Sequence, residues 1–539
     1  MALIDCSDVR VALPGGWTLF DGVTFRVPDG HHAALVGANG VGKTTLLRTI
    51  AATAGGVAGT GETQGTINVD GRLGYMRQFI AEPAGSPTIR GFLLSFAEPR
   101  LIEAADAVRE AELRLASGDV GDAAQLAYAD ALAAWEEAGG YDAEVQWDVC
   151  SVAAMGETLA DVGERLVATL SGGEQKRLAL ELLFRSPFEV LLLDEPDNFL
   201  DIDGKRWLER TIRGSDKTIL FVSHDRTLLA ATTTRVITLE GHGAWVHPDN
   251  YATFAEAREA RLERIDEEHR RYNEEHKRLV AAMKEMKRKA AYNDGWATKA
   301  RSMEKRIERY EVQKAPREKA AEQNVQMAIA GGRTGKMALR LTSFGMPGLI
   351  LPFDAEIWFG ERVGVVGPNG TGKTHFLRLL AGEDIAHEGE WRLGARVEPG
   401  LFTQLHHRPD LSDSPILEIL RSSGMGMSEA MSTLKRYELQ NAARNPFGLL
   451  SGGQQARFQL LLMEVQSPTM LLLDEPTDNL DLHSAEALED ALSRYEGTVI
   501  AVTHDRWFMQ GMDRFLSFDE DGSIRQLLEP PYEEARVAG

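Results

Sequence analysis

The chain of 539 residues is poor in cysteine: Cys6 and Cys150 stand far apart, in no metal-binding or redox spacing. That excludes a disulfide framework and a cysteine-rich zinc module, and both thiols are expected to be buried. Long apolar runs are also lacking. No window approaches 18 uninterrupted apolar residues, and the opening MALIDCSDVR shows no basic-then-apolar leader, so no membrane domain is expected and the expected location is cytoplasmic. Positive charge is scarce as well, with 59 Lys and Arg against 81 Asp and Glu, a net of −22. With 43% hydrophobic and 26% charged residues the composition is globular, and the length calls for two or more domains.

What positive charge there is gathers in one place. From Lys277 to Lys319, 14 Lys and Arg face 6 Asp and Glu. A basic arm on an acidic body is the electrostatic footprint of a protein that meets nucleic acid with one part only, though a solvated coiled-coil spacer has the same composition. Leu262, Ile265, His269, Tyr272, His276, Leu279, Met283, Met286 and Ala290 alternate steps of three and four, the seam of a helix packed along a partner. A second seam runs through Trp296, Ala300, Met303, Ile307 and Tyr310, with Asn-Asp-Gly turn chemistry between the two and Pro316 beyond. The pattern predicts a helical hairpin over 255–320, whose first helix of about 35 to 38 residues reaches roughly 55 Å.

On either side of the hairpin the same motifs recur. The apolar run HHAALV leads into Gly37, Asn39, Gly40, Gly42, Lys43, Thr44 and Thr45, then a helical run. Strand, glycine loop and helix together make a phosphate-binding loop: backbone N–H groups wrap phosphate oxygens, Lys43 reaches the outer phosphates, and Thr44 can ligate magnesium. Downstream come Ser171, Gly172 and Gly173, then VLLLDEP ending in Asp194 and Glu195, then TILFVS delivering His224. A carboxylate pair at the end of a buried strand suits a magnesium shell at Asp194 and a general base at Glu195. The second copy reads Gly367, Asn369, Gly370, Gly372, Lys373, Thr374 and His375, then Gln404, Ser451, Gly452, Gly453, Asp474, Glu475 and His504. Lys373 lies 330 residues after Lys43, whereas Glu475 lies 280 after Glu195. The first copy therefore carries 50 extra residues, nearly all after Gln78, in an alanine-rich helical arm at about 98–144 broken at Ser117-Gly118.

The order of motifs resembles the ATP-binding cassette superfamily, and the tandem arrangement with an arm and an interdomain hairpin resembles the ABC-F family over essentially the whole length. The resemblance implies an α/β fold of two P-loop cassettes, at 1–254 and 321–539, joined by the hairpin. It implies an ATPase with two ATP per chain and Mg2+, with Gln78 and Gln404 at the metal and attacking water, and His224 and His504 at the γ-phosphate. Thr44, Gln78, Asp194, Thr374, Gln404 and Asp474 would form the metal shells. Each signature Ser-Gly-Gly would bind the ATP of the other cassette, Lys43 facing Ser451 and Lys373 facing Ser171. The family implies binding at the ribosomal exit site, with the hairpin toward P-site tRNA, rRNA and the peptidyl-transferase centre, in translation regulation or rescue or in protection from antibiotics. The alternative is the twin ATPase of a separate membrane transporter, which has no use for a long basic hairpin.

Departures from the family pattern sharpen the expectations. Where the family usually reads DEPTNHLD, the first cassette has Asp197 and the second has Asp478. Asp197 beside Glu195 is expected to slow the first site. The arm, with 12 carboxylates against 3 arginines from Glu98 to Glu144, suits a basic ribosomal protein. Tyr292 and Trp296 are expected at the hairpin tip beside Lys287, Arg288, Lys289, Lys299 and Arg301, as stacking platforms for RNA bases or as a mutual cap. Trp17 and Phe344 precede the two phosphate loops at a distance plausible for stacking on adenine.

Overall fold

The computed structural model describes residues 3–13, 17–53, 61–77, 87–118, 121–241, 243–290, 294–314, 325–403 and 411–531. Gln78, Gln404 and Tyr292, and the side chain of Trp17, lie outside the described residues.

Two six-stranded sheets share one topology. In the first the order is Leu73–Met76, Val190–Asp194, Thr218–Val222, His32–Gly37, Arg235–Glu240 and Gly243–His247, with the last strand antiparallel and the rest parallel. In the second it is Pro399–Phe402, Met470–Asp474, Thr498–Val502, Arg362–Val366, Arg514–Phe518 and Ile524–Leu527. The central strands VLLLD, TILFV, MLLLD and TVIAV are buried throughout, because parallel strands are covered on both faces and need apolar residues at every position. Each sheet is flanked on one side by most of the helices and on the other by the phosphate-loop helix with a three-stranded antiparallel sheet. Both cysteines are free and buried, and burial pushes the Cys6 thiol up to about 12 and that of Cys150 up to about 11.

The arm forms two helices, Pro99–Ala116 and Asp122–Glu137, broken where Ser117 caps the first. The Gly139-Gly140 pair does not end the helical region but opens a third helix, Gly140–Met155. Gly139 is left-handed (φ 82°), and a side chain at Gly140 would meet the Trp135 ring at 2.0 Å, so glycine is required at both. The Trp135 and Trp147 rings, 6.4 Å apart, tie that helix to the arm.

The hairpin consists of Phe254–Ala290, 37 residues long, and Asp294–Lys314. Leu279, Ala300 and Ile307 are its buried seam residues, and Tyr272 stacks on Tyr310 at 5.1 Å. Its base is anchored in the first cassette. Phe254 is buried in the core beside Tyr251 and Trp245, while Arg258 and Arg261 pair with Glu240. The same base touches the second cassette, where Arg258 Nη1 lies 2.7 Å from His483 Nε2. Among the described residues no helix is long and apolar enough to cross a membrane. Ile307→Asp, which places an unpaired carboxylate in the seam, is expected to speed tryptic cleavage within the hairpin and leave nucleotide binding at the cassettes unchanged. Limited proteolysis beside a nucleotide-binding assay checks this.

Candidate active site

The sheet order dictates where the chemistry gathers. Parallel strands deliver their C-terminal ends to one edge, so the loops after His32–Gly37, Val190–Asp194 and Thr218–Val222 meet there, as do their counterparts in the second cassette. Gly37, Gly40 and Gly42, like Gly367, Gly370 and Gly372, have φ between +81° and +151°, a backbone that turns successive N–H groups inward. Lys43 folds back and donates to Gly37 O at 2.8 Å and Ala38 O at 3.2 Å, and Lys373 donates to Gly367 O at 2.7 Å. Burial lowers both lysine pKa values, which favours an anion arriving in front of them.

Thr44 Oγ1 donates to Asp194 Oδ1 at 3.2 Å, and Thr374 Oγ1 to Asp474 Oδ1 at 3.3 Å. The second oxygen of Asp194 is buried with no partner among the described residues, as are both ring nitrogens of His224. Hydroxyl and carboxylate oxygens side by side are the donor set of a hard divalent cation, so the residues fit magnesium. Burial holds the His224 imidazole down at about 3 and lowers that of His504 well below its ordinary value. Both rings are therefore neutral near pH 7. Glu195 and Glu475 adopt φ of 49° and 47°, and Phe199 and Asn479 adopt 67° and 63°, strain that recurs at equivalent places in both cassettes.

The signature segments lie across the interface. Ser171 and Ser451 each cap a helix through a capping box with Glu174 and Gln454. Asn39 of the first phosphate loop donates through its side chain to Asn479 O at 2.9 Å, and its backbone N–H donates to Asp481 at 3.0 Å. Asn369 reciprocates by donating to Phe199 O at 3.1 Å. A side chain added at Gly453 would meet Asn39 Nδ2 at 2.2 Å, and one at Gly173 would meet Asn369 Nδ2 at 3.4 Å. The structure thus brings each phosphate loop against the opposite signature. One resulting cleft, about 200 Å³, is lined by Ser171, Gly173, Asn369, Glu475 and His504.

The ABC transporter family model matches residues 20–198 and 350–478. The chain is similar to an antibiotic resistance protein of Mycobacteroides abscessus, at 46% identity over 99% of this chain and 100% of that one. It is also similar to ABC transporter F family member 2 of Arabidopsis thaliana, at 28% identity over 95% or less of each, namely 94% of this chain and 75% of that one. The chain belongs to the ABC-F family. Among solved structures it shares its fold with an archaeal ribosome recycling factor, aABCE1, with TM-score 0.55 and 18% identity over 96% of this chain and 89% of that one. Cassettes of this ABC-F protein bind ATP, and the clefts just described are where its motifs converge.

Two sequence expectations need correction. Phe344 is fully buried among Phe353, Phe376 and His387, so it is core and cannot stack on adenine. Asp197, expected to bear on Glu195, faces Lys205 and Asp225, and burial first of all raises it to about 6. The like charge acts in the other cassette. At the position of Asn198, which donates to Glu195 at 2.6 Å, the second cassette has Asp478. Burial, then Asp478 and Asp474, push Glu475 up to about 8. Lys176 also serves the first cassette alone, donating to Glu195 O at 3.0 Å where the second has Ala456.

Sequence reading also missed Lys205 and Glu209. Their signal was legible: both charges sit on the apolar stripe Ile202, Leu208, Ile212 of one helix. Glu209 pairs with buried Arg506, and its equivalent Glu489 pairs with Arg226.

Among the described residues the like charge lies on the base of the second site. Near pH 7, Glu195→Gln is expected to remove most of the turnover and Glu475→Gln less, with the second site's share rising as pH climbs through about 8. Equal losses at every pH would refute this. A raised carboxyl favours the closed form while protonated, an advantage complete below its ordinary value and lost as pH rises through about 8. Nucleotide-free Glu475→Gln should therefore stay closed better than wild type, by a margin that is small near pH 5 and largest above pH 8. Small-angle scattering across that range measures it.

Proposed function

We propose that this ABC-F protein hydrolyses ATP and docks on the ribosome, with its hairpin directed at RNA near the P-site tRNA and peptidyl-transferase centre, to regulate or rescue translation or to protect it from antibiotics. The observation that carries this reading is the long hairpin rising from the junction of two facing cassettes, with its basic residues at the far end. The proposed partition is 1–254, 255–320 and 321–539, with the arm at about 98–144. At the tip, Lys289 and Lys299 place their ammonium groups 5.2 and 4.6 Å from the Trp296 ring centroid, and Trp296 is half-buried. Lys287 pairs with Glu304, and Arg288 and Lys289 with Glu285, in exposed ion pairs that exchange readily for phosphate. The name of the Mycobacteroides abscessus relative supports a protective role. The acidic arm suits a basic ribosomal protein.

In this reading bound ATP supplies the phosphoanhydride bond and magnesium its charge compensation. Thr44 with Asp194, and Thr374 with Asp474, would hold the cation, with Gln78 and Gln404 as the further ligands that the family pattern implies. Lys43 and Lys373 leave the loop carbonyls for the outer phosphates. Glu195 and Glu475 accept the proton of the attacking water, and neutral His224 and His504 contact the γ-phosphate. Signature residues Ser451 to Gly453 and Ser171 to Gly173 complete the opposite clefts, so two ATP close one sandwich.

The double variant Glu195→Gln, Glu475→Gln is expected to hold ATP, stay closed and co-sediment with 70S ribosomes more than wild type does. Charge reversal at Lys287, Arg288 and Lys289 in that background should weaken co-sedimentation and flatten its salt dependence. Co-sedimentation that equals wild type under ATP would reject the ribosomal reading.

A further inference from the structure

The ATP chemistry leaves one buried charge unused. Lys205 is 7% exposed on the helix Ile202–Arg213, and its ammonium lies 3.1 Å from Asp225 Oδ2 and 3.4 Å from His504 O across the interface. The equivalent residue 280 positions on is Ala485. One cation thus stands where a strictly repeated structure would bury two, and two facing lysines would repel.

Its surroundings explain the departures from the family motif. Asp197 and Asp225 come from its own cassette, and Asp478 and Asp505 from the other. Asp197 and Asp478 are the two acidic departures from DEPTNHLD, beside Phe199 and Asn479 at its histidine position. These four carboxylates hold the ammonium protonated despite its burial. Lys205 also lines both clefts, the one with Glu195 and His224 and the one with Ser171, Glu475 and His504.

The contacts form a directed chain. His504 is held at both ends of its backbone: its carbonyl accepts from Lys205, and its N–H donates to Glu475 Oε2 at 3.0 Å. Its ring Nε2 lies 3.5 Å from Glu475 Oε1. The reverse connection is absent, because the methyl of Ala485 offers the His224 segment no donor.

We infer that Lys205 is a positioning residue for the second ATP site, supplied by the first cassette, which fixes the His504 segment against Glu475 only when the sandwich is closed. It acts through His504. Its consequence is one-way coupling: the second site senses the first cassette through Lys205 in addition to the signature, and the first site has no such second contact. The inference rests on Glu195 and Glu475 being the bases, and failure of that assignment shows itself separately, as turnover in the double Glu→Gln variant.

The test is hydrolysis at each site in isolation, in full-length protein. In the Glu195→Gln background, where only the second site turns over, Lys205→Met is expected to lower kcat about tenfold or more with little change in KM. In the Glu475→Gln background the same change should alter kcat less than about twofold, a margin well below one lost charge-assisted hydrogen bond. Lys205→Arg should restore part of the loss. A variant with Lys205→Met, Asp197→Asn and Asp478→Asn removes the lysine without leaving the carboxylates uncompensated. It should fold and close, yet keep a second-site defect relative to the Asp197→Asn, Asp478→Asn control that retains Lys205, a control needed because Asp478→Asn by itself relieves Glu475 of a like charge. Second-site kcat equal to that control, or equal losses in both backgrounds, would overturn the inference and leave Lys205 as charge balance alone.

Discussion

Everything at the centre of this molecule depends on a small reciprocal contact, an asparagine of each phosphate loop reaching the backbone of the opposite cassette where a signature glycine leaves room for it. Asn39 against Gly453 and Asn369 against Gly173 put the two P-loops within reach of two foreign helix N-termini. The cleft with Ser171 and Gly173 is completed by Asn369, Glu475 and His504 of the second cassette. The reciprocal pairs Glu209 with Arg506 and Glu489 with Arg226 reinforce the same geometry. They are unequal, because Arg506 is fully buried and Glu489 is partly exposed. Losing one partner of the buried pair would cost about 3–5 kcal/mol, far more than an exposed pair contributes.

The two cassettes look alike in their motifs and differ in what surrounds them. The first base accepts a hydrogen bond from an amide, Asn198, with the Lys176 ammonium near its carbonyl. The second base shares its pocket with a carboxylate, Asp478, and leans on the switch histidine. Duplicated machinery that keeps its backbone strain at Glu195, Phe199, Glu475 and Asn479, while exchanging its buried charges, retains the reaction geometry and separates the behaviour of the two sites.

Much of this was legible in the sequence wherever a local period or a short motif governs the structure. The hairpin seams read correctly because a three-four alternation has one helical meaning, and the 37-residue first helix falls within the expected length. The facing of signature and phosphate loop was implied by the resemblance that the repeated motifs carry. The asymmetry was misread for a physical reason. Asp197 is two residues after Glu195 in the chain, but the fold sets it beside Lys205 and Asp225, and no spacing rule reports which carboxylate shares a pocket with which base. Lys205 and Glu209 could have been found as charges on an apolar stripe, though their partners, nearly 300 residues away, could not. Phe344 failed as an adenine platform because it lies on the inner face of its strand, packed on Phe376 in the core.

The hairpin base deserves mechanical terms. The first helix is clamped to the first cassette through Phe254 and Glu240, and it rests against the second through His483. That is a beam with a fixed root and a contact just above it. At about 1.5 Å per residue the helix spans roughly 55 Å, so a tilt of about 6° at the root would sweep its tip by roughly 6 Å, close to the spacing of neighbouring nucleotides. By this geometry a sub-ångström adjustment at the root would move the tip by a distance on the scale of a base.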